Sequence, residues 1–208
     1  MPLDEAWRRA LELAWQSFAA GTTPVGAVVT DPGGDIVAEG RGRRYEQPDG
    51  TRGHLAYCHI AHAEINALAQ LPPTRHYEDY MLLTTLEPCC MCVGAAVQST
   101  ITRLYFGGRD PYAGASQQRV LTPQARRRPL VITGPLADPR GQFAELLHVR
   151  WLLEFGAARP VLDAHARGIA DIYALAASPA ASRVFAELRR GGAGLYEAMA
   201  AVAAFTPA

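Results

Sequence analysis

The stretch LEPCCMC, residues 86–92, places three of the chain's four cysteines within four positions, directly after a glutamate and a proline. Cys89 and Cys92 stand three apart where a helix can begin after Pro88. Both thiols then lie on one face of the first turn, while Cys90 is rotated about 100° from Cys89. Backbone N–H groups at a helix start favour anions and lower thiol pKa values, the setting a thiolate ligand needs. A lone C-x-x-C is equally compatible with a redox pair or with half of a structural zinc site.

Upstream stands HAE, with His62, Ala63 and Glu64 at the opening of another helical pattern. One imidazole and two thiolates are three ligands of the kind Zn²⁺ prefers, which leaves a fourth position for water. A closed structural site wants a fourth protein ligand, and none stands at an obvious spacing. The ion would lower the pKa of its bound water from 15.7 towards about 7. Glu64 then has a task as proton shuttle between that water and a leaving amine, a role typically worth about 10²–10⁴-fold. The redox reading uses neither His62 nor Glu64. The expectation is one zinc per chain on His62, Cys89 and Cys92, with Glu64 catalytic.

The elements that must position these residues follow from periodicity. Trp7, Leu11, Ala14 and Phe18 recur at helical spacing, with Asp4 as N-cap and Gly21 as the stop. PVGAVVT and DIVAEG flank Asp31-Pro32-Gly33-Gly34 and read as a hairpin. Residues 41–58 are polar and aperiodic, a long loop of the kind that often carries function. AHAEINALAQL, ended by Pro72-Pro73, is a helix; YMLLTTL is a buried strand; CMCVGAAVQS is a helix. RLYFGG and PLVIT are two more strands around the glycine- and arginine-containing stretch 107–128, and a helix follows from about 138 to 156. Strands alternating with helices over 1–156 predict an α/β layered sheet. From 157 to 208 the chain is alanine-rich without strand signal, and three helical segments are expected there as an extension on the same domain.

The remaining candidates have modest roles. Cys90 is expected to pack as a small buried residue. Val25, Cys58, His59 and Asp110 are candidates to border the substrate, although Asp110-Pro111 is also turn chemistry. His54, His76, His148 and His165 are isolated and expected at the surface or as satisfied core, and Arg126-Arg127-Arg128 as a solvated loop.

Whole-chain quantities exclude several classes. Twenty basic residues, all arginine, balance twenty acidic ones, so nothing draws the whole chain to nucleic acid or an anionic membrane. No apolar run approaches the roughly 18–20 residues that span a bilayer, and MPLDEAWRRALELAW begins acidic and amphipathic. A soluble cytoplasmic protein is expected.

H-x-E followed by P-C-x-x-C is the signature of zinc-dependent base deaminases. PVGAVV, AHAEINAL, TLEPCCMCVGA and RLYFGGRDPYAG stand in the order seen in the cytidine deaminase-like superfamily, and the chain resembles most its tRNA adenosine deaminase and bacterial guanine deaminase branch. The resemblance covers about residues 5–150. It implies a three-layer α-β-α fold with a five-stranded mixed sheet, zinc on His62, Cys89 and Cys92, Glu64 as general acid and base, and a homodimer. Two departures matter. Relatives end the second strand in a glycine-x-asparagine-arginine pattern whose asparagine reads the base or ribose, whereas here Gly42 takes that place in EGRGRR. The approach to His62, GTRGHLAYCHIAHAE, is also longer than the family's. These departures favour hydrolytic deamination of a small heterocycle (nucleobase, nucleoside or analogue), with tRNA adenosine deamination as the alternative and an inactive binding subunit as a second one.

Overall fold

The computed structural model describes residues 2–118 and 122–204, so residues 119–121 of the stretch 107–128 and the last four of the extension lie outside it. Helix α1 (Pro2–Ala19) leads into strands β1 (Gly26–Thr30) and β2 (Ile36–Arg41). Helix α2 (Ala63–Leu68), strand β3 (Met81–Leu86), helix α3 (Cys90–Gln98) and strand β4 (Arg103–Gly108) follow. The short helix α4 (Pro123–Arg127), strand β5 (Val131–Thr133) and helix α5 (Pro139–Phe155) complete the sheet region. Beyond it run α6 (Arg159–Gly168), α7 (Ala170–Ala177), α8 (Pro179–Gly191) and α9 (Leu195–Ala203). The sheet order is β2-β1-β3-β4-β5. β1 is antiparallel to β2 and β3, and β3, β4 and β5 run parallel, which makes the sheet mixed.

The sheet is covered on both faces. Ala6, Trp7, Ala10 and Leu13 of α1 pack on Val28 of β1 and Leu83 of β3. On the other face Ala63, Ala67 and Leu68 of α2 and Ala96 of α3 bury against Ala27, Val29, Leu82 and Leu104. Side chains alternate along each strand, so neighbouring residues such as Val28 and Val29 serve opposite cores. Helix α1 is apolar over a wide arc because its outer side is covered too. Leu11, Trp15 and Phe18 share a core with α5 and with Ala176, Phe185, Leu195 and Val202 of the extension. Trp15 Nε1 donates to the Ala193 carbonyl at 2.7 Å, which fixes the extension to α1. Among the described residues no helix is long and apolar enough to cross a membrane.

Several sequence expectations shift. α1 starts at Pro2, so Asp4 lies in its first turn and complements the helix dipole instead of capping it. α2 is shorter than 61–71, because His62 is extended and the turns at Gln70 and Leu71 close with tight three-residue hydrogen bonds. Arg126 and Arg127 belong to a capped helical turn, with Thr122 Oγ1 accepting from Ala125 N, where a loop was expected. Among its described residues the extension has four helices where three were expected. The first expected segment breaks at Ile169 (φ −139°, ψ 57°), just after Gly168, which is seated where a Cβ would stand 2.6 Å from Pro111.

Gly40 sets a tight constraint on the site. A Cβ there would stand 2.3 Å from the Ala63 carbonyl oxygen and 2.5 Å from Ala67 N, both backbone atoms of α2. Only glycine lets α2 lie this close to β2. Gly40→Ala is therefore expected to lower unfolding stability by about 1–3 kcal/mol in a urea titration, whereas Gly94→Ala, with open space around it, should not.

Candidate active site

The starts of α2 and α3 bring the three soft donors together. His62 is the N-cap of α2 and Cys89 the N-cap of α3, both in extended conformation, and Cys92 lies three residues on. His62 Nδ1 is 3.7 Å from Cys89 Sγ and 3.6 Å from Cys92 Sγ, and the two sulfurs are 3.6 Å apart. A tetrahedron with Zn–S of about 2.3 Å and Zn–N of about 2.0 Å has edges of roughly 3.5–3.8 Å. The group fits the ion.

Electrostatics point the same way. The Cys92 thiol and the His62 imidazole hold the Cys89 thiol down to about 4. The same contact with Cys89, helped by burial, pushes Cys92 far above the ordinary thiol range. Two thiols this close cannot both ionise unaided, and a dication between them removes the conflict. The hydrogen bond to Cys89 raises His62 as well.

Glu64 sits in the first turn of α2 with 3% of its surface exposed. Burial pushes its carboxyl upward, and Thr84 Oγ1 on β3 donates to its Oε1 at 3.1 Å. One carboxylate oxygen is thus oriented by the sheet, and the residue lines a cavity of about 480 Å³, partly open to solvent, that His62 and Cys89 also line.

Two hydrogen-bonded frames hold the cavity walls. Asn66, fully buried on α2, accepts from Leu55 N at 2.6 Å and donates to the carbonyls of Arg41 and Leu55 at 3.1 Å, tying the long loop to β2. Buried Arg43 pairs with Glu46 and Asp49 to brace that loop. Across the cavity, Glu87 accepts from Asp110 N, Ser116 N and Ser116 Oγ, which fastens the turn after β4 to the start of α3.

Of the residues expected near substrate, Val25 and Asp110 line the cavity, whereas Cys58 and His59 do not. His59 is exposed with its Nδ1 2.6 Å from Arg44, and Cys58 is half-buried in the loop behind. Cys90 is exposed, contrary to expectation, because the turn that directs Cys89 and Cys92 inward directs it out. Gly42 is a wall residue, and a Cβ there would stand 2.2 Å from the Thr23 carbonyl oxygen. Thr84, Glu87 and His148 were missed. Glu87 lies inside the LEPCC stretch itself, but nothing local marks Thr84, and His148 is buried and lines the cavity instead of standing isolated.

The model of the cytidine and deoxycytidylate deaminase zinc-binding region matches residues 2–108. A tRNA-specific adenosine deaminase of Haemophilus influenzae is 40% identical over 121 residues, 56% of this chain and 64% of that protein. A tRNA(Ile)-lysidine synthase of Deinococcus deserti is 40% identical over 114 residues, 54% of this chain but 20% of that protein. The chain thus spans less than two thirds of either relative. A solved structure from work on A-to-I editing by tRNA:A34 deaminases at the wobble position of transfer RNA superposes with a TM-score of 0.53 at 26% identity, over 68% of this chain and 99% of that one.

If the three donors hold the ion, purified protein carries about one zinc per chain, and Cys90→Ser retains it. Cys89→Ser and Cys92→Ser are expected to lose zinc and thermal stability together. Metal analysis alongside thermal unfolding checks this, and a zinc-free Cys90 variant would contradict it.

Proposed function

The chain belongs to the cytidine and deoxycytidylate deaminase zinc-binding family, whose model matches residues 2–108, and from that premise we propose that it is a hydrolytic deaminase acting on an adenosine in transfer RNA. The observation that carries the reaction class is Glu64, a buried carboxyl lining the same cavity as His62 and Cys89. Water adds to the amine-bearing ring carbon, the C–N bond breaks, and ammonia leaves. Zinc, when bound, would polarise the attacking water and lower its pKa. His62, Cys89 and Cys92 would hold it. Glu64, oriented by Thr84, takes one proton from the water and delivers it to the ring nitrogen, then takes the second from the added hydroxyl and delivers it to the leaving amine. A scaffold without activity would need the three donors but not this carboxyl.

The substrate rests on the relatives, two of which carry tRNA adenosine deamination in their descriptions. This supports the alternative reached from the sequence better than its first reading. One observation favours deamination of a free small heterocycle instead. Gly42 cannot supply the side chain that the family's pattern places at the base, and its backbone is held by Ser17 Oγ at 2.9 Å and by the Val25 carbonyl at 2.8 Å.

Glu64→Gln is expected to keep zinc and thermal stability while lowering turnover at least about a hundredfold. Full activity in that variant would refute the mechanism. For the substrate, inosine in tRNA and ammonia from free bases and nucleosides are measured against salt. The tRNA reading expects inosine formation that weakens steeply, with a slope of roughly −0.7 to −0.9 per phosphate contacted. Salt-independent ammonia release from a free base or nucleoside, without inosine in tRNA, supports the second reading.

A further inference from the structure

At the wall of the cavity lies a cluster that the reaction described above does not use. Asp110 comes from the turn after β4, His148 from the middle of α5 and His165 from α6 of the extension. One nitrogen or oxygen atom from each lies within 4.8 Å of the other two. The two imidazole rings are 5.4 Å apart, and His165 Nε2 is 3.5 Å from Asp110 Oδ1. Asp110 Oδ1 also accepts from Tyr112 N and Ala113 N at 3.0 and 2.9 Å, so its turn is rigid. His165 Nδ1 meets the Val161 carbonyl at 2.9 Å, which orients the ring. Gly168, seated against Pro111, lets α6 press on the same turn. The extension thus reaches the cavity wall through Asp110.

His148 is 6% exposed and lines the cavity, and its Nδ1 is enclosed without a hydrogen-bond partner. That leaves Nε2 as the nitrogen the cavity can reach. Burial disfavours the charged ring and outweighs the opposing pull of Asp110, while His165 adds to the depression. In a neutral imidazole one nitrogen carries the hydrogen and the other the lone pair. An enclosed N–H without a partner is the costlier orphan, which places the lone pair on Nδ1 and the hydrogen on Nε2. The ring therefore presents a donor. Among the described residues that line the cavity there is no arginine to pair with a phosphate. The group it receives is an uncharged ring.

We propose that His148 is a specificity-determining residue whose Nε2–H donates a hydrogen bond to an unprotonated ring nitrogen of the base in the cavity. His148 thereby supplies a polar contact to the base that Gly42 lacks. This rests on the reading of the cavity as the site of adenosine deamination.

The test uses the zinc-loaded Glu64→Gln chain, titrated with adenosine and its 1-, 3- and 7-deaza analogues, with and without His148→Phe. With His148 present, at least one deaza analogue should bind about tenfold more weakly than adenosine. With His148→Phe, adenosine should weaken by about the same factor and the difference should fall below about twofold. His148→Gln, which keeps an N–H donor, should restore part of it. Should His148→Phe lack zinc or lose the parent's unfolding temperature, His148→Leu takes its place. Discrimination that survives loss of the imidazole, or no discrimination or adenosine binding at all, overturns the proposal. The two readings fail separately: His148-dependent discrimination without ammonia release by the Glu64 chain sinks only the deaminase reading, and ammonia release without discrimination sinks only the role of His148.

Discussion

Two thiols 3.6 Å apart and an imidazole at nearly the same distance from both crowd three metal-ligating donors around one point. Charge on Cys89 raises the cost of charge on Cys92, and both are partly or wholly removed from water. A dication turns that repulsion into coordination. The constraint this sets on the fold is geometric, because the donors come from the starts of two different helices. α2 and α3 must begin at one point over the same face of the sheet, and most close contacts near the site serve that requirement.

Those contacts are made by atoms that cannot yield. Gly40 allows the backbone of α2 to rest on β2, and Gly42 allows the end of that strand to rest on Thr23. Asn66 then converts the long loop from a floppy connection into a wall, since its amide bridges the loop and the strand at once. Glu87 does the same for the turn after β4. Each is a buried or half-buried polar side chain satisfied by backbone groups, so the walls are held by directional bonds while the apolar cores supply the bulk stabilisation.

The extension is joined to this frame in two ways. Its apolar sides complete the outer face of α1 around Trp15, Phe18 and Phe185, with ring centroids 5.4–6.4 Å apart. Its first helix also places His165 beside Asp110. A segment that buries the back of α1 therefore also touches a residue of the cavity wall.

What was legible in the sequence was mainly local. The spacing of Trp7, Leu11, Ala14 and Phe18, the hairpin turn at Asp31–Gly34 and the three-residue step from Cys89 to Cys92 each depend on neighbours a few positions away, which repeat lengths of helix and strand report directly. The resemblance carried by HAE and PCCMC extended this to the five-stranded mixed sheet. The misplacements share a cause. Cys58 and His59 are close to His62 in the chain but do not line the cavity, the first half-buried and the second exposed, because the loop that carries them is pinned through Asn66 and Arg43 and not through the ligand. Cys90 was expected inside and is exposed, since its direction depends on how α3 is rolled onto the sheet. His148 and His165 looked isolated because nothing within a few residues marks them. Their meeting with Asp110 is a long-range event, decided by α5 crossing the sheet and by α6 turning back at Gly168. Tertiary packing alone determines such juxtapositions, because a buried polar group acquires its meaning from whatever the rest of the chain brings within hydrogen-bonding reach.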